Sequence, residues 1–147
     1  MKNTLHITIQ SFSYRKGYPE DPTGNGGGFV FDCRGILNPY RFGDLRYLTG
    51  KDKEIEDFFM ERTKMPDFLE SAKKVISISI EDYLARNFSD LQINFGCTGG
   101  QHRSVYSAEQ ITKYIREKYP QVEITLNHTN AENWEEKIST EENTNTV

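Results

Sequence analysis

The sequence predicts a single α/β domain with a small mixed or mostly parallel sheet flanked by helices. Three observations carry that expectation. Apolar residues alternate with polar ones in short stretches near residues 5–10 and 91–96, as half-buried strands require. Longer stretches between and after them repeat apolar residues at helical spacing. A glycine-rich turn at 97–104 joins one such strand directly to a helix. With 147 residues, 35% hydrophobic and 12% aromatic, the chain suffices for one core and gives no reason to seek a second domain.

Taken in order, Leu5, Ile7 and Ile9 alternate with His6, Thr8 and Gln10 and mark the first strand, which enters Ser11, Phe12, Ser13 and Tyr14. Arg15, Lys16, Gly17 and Pro19 then signal a loop, and residues 20–28, rich in glycine, read as a flexible connector. No Gly-x4-Gly-Lys-Ser/Thr pattern occurs, which disfavours a nucleotide triphosphatase of that type. Phe29, Val30 and Phe31 form a buried strand run ending at Asp32, Cys33 and Arg34. Charged residues just beyond an apolar strand are site candidates in open α/β sheets, although Asp32 and Arg34 also suit a salt bridge with each other. Ile55, Phe58 and Phe59 give the next segment a short helical face, with Thr49 or Asp52 as its cap.

Pro66 opens a longer helix to about residue 88, with Phe68, Ala72, Ile76, Ile80, Tyr83 and Leu84 facing inward. Ile76, Ile78 and Ile80 also alternate like a strand, but the flanking Lys73, Lys74, Glu81 and Asp82 favour helix. Leu91, Ile93 and Phe95 make a strand, residues 103–118 a helix with Val105, Ala108, Ile111 and Ile115 on one face, and Val122, Ile124 and Leu126 a last strand ending at His128. The domain is expected to span 1–131, followed by an acidic, disordered tail over 132–147.

The turn itself carries the function. Gly99 and Gly100 admit close approach of a ligand to backbone, and the amides and dipole of the following helix favour an anion. Thr98, Gln101, His102, Arg103 and Ser104 add side-chain donors, Arg103 as a planar fork suited to phosphate. A phosphate site at 98–104 is therefore expected, with Asp32, Arg34, Asn38, Cys97 and His128 as further ligand contacts. The bland alternative for His102 is a solvated ring and for Cys97 a small buried residue. Cys97 and Arg103 also match the Cys-x5-Arg-Ser/Thr spacing of cysteine-dependent phosphatases, with Cys97 as nucleophile, Arg103 on the phosphoryl group and Asp32 or Asp44 as acid. Against that reading, Gly96 precedes the cysteine where those enzymes usually have His, and bulky His102 replaces a small residue.

Composition narrows the rest. A net charge of −4 argues against a broad nucleic-acid surface. Only Arg15, Lys16, Arg41 and Arg46 offer a local basic patch. Two cysteines, Cys33 and Cys97, fit neither a metal spacing nor a disulfide framework, so reduced thiols, a cytoplasmic setting and no metal or cofactor are expected. The opening residues lack the apolar stretch of a secretory signal, and no run of apolar residues is long enough for a membrane span.

Several of these residues together resemble the C-terminal domain of the RNase adapter protein RapZ and its relatives. The resemblance runs in order through residues 11–17, Phe29 to Arg34, Asn38, Pro39 and Tyr40, Leu45 and Arg46, Leu48 to Gly50, and the long segment 96–105, covering residues 4 to about 128. It implies a domain that follows an N-terminal P-loop domain in relatives and binds an amino-sugar phosphate. In enterobacterial members it also binds small regulatory RNAs and guides their cleavage by a ribonuclease; self-association is implied as well. The loop residues and Asp32, Arg34 and Asn38 match the family pattern. RNA binding carries over poorly, since Thr129 stands where relatives have a basic residue and residues 132–142 are acidic where they have lysines and arginines.

Overall fold

The structure, a computed structural model, describes residues 3–24 and 27–137. Its strands are β1 (His6–Ser13), β2 (Gly28–Asp32), β3 (Asp90–Cys97) and β4 (Glu123–His128); its helices are α1 (Lys53–Arg62), α2 (Met65–Ala85) and α3 (Arg103–Lys118). The four strands form one sheet in the order β2-β3-β1-β4, every pairing parallel. The expected alternation is realised with one face apolar: Ile7 and Ile9 of β1 and Leu91, Ile93 and Phe95 of β3 are buried in the core. Phe31 of β2 stacks on Phe95 at 5.2 Å between ring centroids and meets Phe68 of α2 edge-on.

The helical reading of 76–80 is the one that folds, because Ile76 and Ile80 share a face separated by one turn and both are buried, while Ile78 is exposed. The inward face of α2 differs in detail from the expected one. Met65, Leu69, Ala72, Ile76, Ser77 and Ile80 are buried, whereas Phe68, Tyr83 and Leu84 lie at its margin. The helix ends at Ala85, and Asn87 follows with φ 60°. Ser77 and the Tyr114 hydroxyl, 2.7 Å apart, tie α2 to α3. Asp52 stands at the cap position of α1, but its carboxylate turns back to accept from the Thr49 amide at 2.7 Å.

On the opposite sheet face Gln92 and Asn94 are buried, at 8% and 3% exposure, although alternation places them toward solvent. Both are satisfied there: the Gln92 side-chain amide donates to Asp21 of the connector, and Asn94 donates to the Phe29 carbonyl of the neighbouring β2. Cys33 and Cys97 are both buried free thiols.

The topology places the site. From β1 the chain crosses to β2 on the far side of β3, and from β3 it passes through α3 to β4 on the far side of β1. The connections diverge above Ser13 and Cys97, which are register partners, so a crevice opens between them at the carboxyl ends of the strands. The sequence reading begins a disordered tail at 132. Residues 131–133 instead make a 3-10 turn and residues 134–137 continue across this crevice; the remainder of that expectation, 138–147, lies outside the described residues.

Candidate functional site

A cleft of about 440 Å³ opens at the strand ends. Each strand contributes to it: Ser13 ends β1 and Arg15 and Lys16 follow it, Asn38 and Tyr40 follow β2, Cys97 ends β3 and Thr98, Gly99, Gln101, His102 and Arg103 follow it, and Asn130, Asn133 and Glu135 follow β4.

The loop is held from behind through its carbonyls. Ser13 Oγ donates to the Thr98 carbonyl at 2.6 Å, Asn130 Nδ2 to Gly99 at 2.8 Å, Trp134 Nε1 to Gly100 at 2.7 Å and the Gly50 amide to Gln101 at 2.9 Å. Gly100 takes φ 64°, a left-handed torsion that turns the chain there. With the carbonyls engaged, the backbone amides of residues 98–105 have no acceptor among the described residues. Those of residues 103–105 begin α3, where the helix dipole adds partial positive charge.

The side chains of the loop have more divided duties than their types suggest. Gln101 is buried and structural: its Nε2 lies within hydrogen-bond distance of the carbonyls of Arg46, Leu48 and Glu135, and its Oε1 accepts from the Glu135 amide. His102 is not the solvated ring of the bland reading but 4% exposed, and Nε2 donates to the Leu45 carbonyl at 3.1 Å. Since a carbonyl can only accept, the neutral ring carries its hydrogen on Nε2. Burial holds its pKa below the ordinary histidine value. Arg103, 5% exposed, donates through Nη1 to the carbonyls of Arg34 and Ile36, both at 3.0 Å, while its buried Nε has no partner. Ser104 is fully buried and accepts from the Cys97 thiol at 3.1 Å.

The depressed His102 pKa sets a sign. Below about pH 6.5 the unfolded chain binds a proton that the folded chain resists, so stability falls as pH drops from there toward the folded pKa. Asp32 and Glu135, whose pKa values are lowered by hydrogen bonds from Arg34 and Arg46, lose their contributions only in the more acidic carboxylate range. The melting temperature is expected to fall between pH 7 and about pH 5.5, and less steeply in His102→Gln. An unchanged slope in that variant would assign the effect elsewhere.

Other expected contacts stand apart from the cleft. Asp32 and Arg34 form a bidentate pair at 2.8–3.1 Å, and Arg34 lies 3.8 Å over the Tyr14 ring; neither residue lines the cleft. Asn38 does line it, although its Oδ1 caps a short turn by accepting from the Tyr40 amide. His128 is placed between Ser11 Oγ at 2.6 Å and Glu109 at 2.7 Å, under the Trp134 ring and outside the cleft lining. Lys16 pairs with Glu132 and Arg46 with Glu135, both at 3.0 Å; Arg15 and Arg41 are exposed. Ser13, Tyr40, Asn130, Asn133 and Glu135 are contributors that motif reading missed. Of these only Ser13 and Tyr40, at the edges of recognised stretches, carried any signal. As for the phosphatase arrangement, the acids it would use are elsewhere: Asp32 is held by Arg34, and Asp44 is exposed beside Lys137. Among the described residues no cluster of His, Cys, Asp or Glu suits a metal ion, and no helix is long and apolar enough to cross a membrane.

A profile of the RapZ C-terminal domain matches residues 5–132. The chain is 37% identical over 117 residues to a nucleotide-binding protein of Thermosipho melanesiensis, covering 80% of this chain and 40% of that protein. It is 39% identical over 113 residues to one of Cereibacter sphaeroides, with 77% and 36% covered. A nucleotide-binding protein of Bifidobacterium adolescentis gives 40% over 113 residues, with 77% and 35% covered. The chain thus spans about two fifths of the length of the curated relatives it matches. On the profile match over residues 5–132, this chain belongs to the RapZ C-terminal domain family.

Proposed function

We propose that this domain binds a phosphorylated small molecule, with the phosphate seated on the amides of residues 98–105, and that binding rather than catalysis is its output as a sensor or regulatory adapter. One observation carries the reading: the loop carbonyls are tied behind the loop, which leaves a row of amides without acceptors at a helix start. Arg103 and Arg15 supply positive charge at the cleft, and Thr98, exposed, adds a hydroxyl. The family resemblance favours an amino-sugar phosphate, and Glu135 and Asn130, rather than Asp32, are the cleft groups suited to amine and hydroxyls. The phosphatase alternative finds less support, because among the described residues no carboxylic acid other than Glu135, itself paired with Arg46, lines the cleft. RNA and a ribonuclease remain partners by resemblance alone, as does self-association.

The test is a backbone-amide NMR titration with glucosamine-6-phosphate, inorganic phosphate and glucosamine. Saturable shifts confined to 98–105 and the cleft, larger for the sugar phosphate than for phosphate and absent with glucosamine, are the expected result. Equal response to both phosphates would reduce the site to a general anion loop, and no response at 98–105 would overturn the reading.

A further inference from the structure

The cleft is bordered by a segment that the family profile does not reach. Residues 133–137 lie beyond the match, which ends at 132. They are fastened directly to the back of the loop: Trp134 Nε1 donates to the Gly100 carbonyl, and the backbone of Glu135 exchanges hydrogen bonds with the Gln101 side chain, 2.8 Å to Oε1 and 3.0 Å from Nε2. The fastening sets two carboxylates against two cations. Glu132 meets Lys16 at 3.0 Å, and Glu135 meets Arg46 at 3.0 Å. Lys16 and Glu135 line the cleft, and Arg46 stacks near Tyr40, another lining residue.

We propose that the strap of residues 130–137 is a selectivity element, an intramolecular anion screen that occupies the flanking cations Lys16 and Arg46 and so restricts the cleft to small phosphorylated ligands while excluding polyanions. The physical basis is a difference in what the two kinds of ligand need. A single phosphate is satisfied by the loop amides and Arg103, none of which the strap uses for its own attachments. A polyanion gains affinity from each further cation that contacts a phosphate and releases counterions, and here those cations already hold carboxylates. Exposed pairs of this kind are individually weak, so the screen works by removing charge from the flanks and not by locking the strap. Arg15 is the cation at the cleft whose side chain has no partner among the described residues, and one such charge supports little polyanion binding.

The screen as stated adds to the phosphate reading but is measured apart from it. The probe for the screen is a short oligothymidylate and the probe for the loop is inorganic phosphate, each titrated against the whole chain at several salt concentrations. The strap variant carries Glu132→Gln and Glu135→Gln, which preserves acceptors for Lys16 and Arg46 and leaves the Trp134 and Gln101 bonds intact. A charge-matched control carries Glu70→Gln and Glu123→Gln, both exposed and away from the cleft lining. The expected result is a rise of roughly ten-fold or more in the ratio of oligonucleotide to phosphate affinity for the strap variant. Its oligonucleotide salt slope should steepen by about 1.4, at 0.7 for each of two released cations on a single strand. The proposal is overturned if the control gains as much, if the strap variant gains nothing, or if phosphate affinity rises in step with the oligonucleotide. Failure of phosphate to bind the wild type would count against the phosphate reading alone; the screen is then read from oligonucleotide affinity and its salt slope, and is overturned if the strap variant gains no more than the control.

Discussion

Arg103→Ala should abolish phosphate-induced shifts at 98–105 and also destabilise the fold by about 2–4 kcal/mol, since hydrogen bonds from a charged donor contribute about 1.5–3 kcal/mol each and orphaned buried carbonyls carry a further penalty. Arg103 serves two ends at once. Its Nη1 holds the carbonyls of Arg34 and Ile36, which fixes the loop after β2 against the start of α3, and the same guanidinium stands in the wall of the cleft. Part of the loss is offset by relief of desolvation, because Nε is buried without a partner. Urea denaturation gives the stability change, and the titration is read at a temperature where the variant remains folded. Arg103→Lys separates the roles: it retains a charge but offers a point donor in place of a fork. We expect Lys to recover some anion binding and less than half of the lost stability. A variant Ala protein that still binds phosphate with wild-type affinity would remove Arg103 from the site.

A comparably large effect is expected at a residue with no side chain. A Cβ on Gly50 would lie 2.2 Å from the Tyr106 backbone nitrogen, 2.6 Å from the His102 carbonyl oxygen and 2.8 Å from the Val105 Cβ. The obstacle is mostly backbone, at the first turn of α3, so no rotamer change relieves it. The Gly50 amide also bonds to the Gln101 carbonyl, so any retreat of residue 50 pulls on the 97–104 loop. Gly50→Ala is expected to cost about 3 kcal/mol, at the upper end of ordinary overpacking, and to displace the amide resonances of 98–105 even before ligand is added. Gly35→Ala, where nothing lies within 4 Å of the added carbon, is the matched control and should stay within about 0.5 kcal/mol. Equal stability of the two variants would mean that the loop after residue 45 yields without cost.

The strands and the glycine-rich turn into a helix were legible because their signals are local. The helix expected over 103–118 occupies Arg103–Lys118, since the Gly-Gly turn, the first helical residue and the apolar face all lie within one continuous stretch. The contacts of Asp32, Arg34 and His128 were less legible for a physical reason. A residue at a strand end can turn to the cleft, to its own neighbour or to the helix layer, and the winner depends on which partner is nearer. Asp32 and Arg34, two residues apart, satisfy each other without closing any long loop. His128 points to the helix layer because its register partner Ser11 and the Glu109 carboxylate both stand there. The segment from residue 132 reads as a polar acidic tail until Gln101 and Gly100 provide anchors for it, and those anchors exist only once the loop has folded.

Periodicity and glycine placement by themselves therefore determined an α/β domain with an anion-suited turn at 97–104, because alternation, helical spacing and backbone freedom act over a few consecutive residues. Only the tertiary structure decided which donors remain uncommitted there. It brought Ser13, Gly50, Asn130 and Trp134 behind the loop to take its carbonyls and set Glu132 and Glu135 on the flanking cations. Those partners lie tens of residues away in the chain, where only the parallel sheet and its diverging connections could bring them within hydrogen-bond distance.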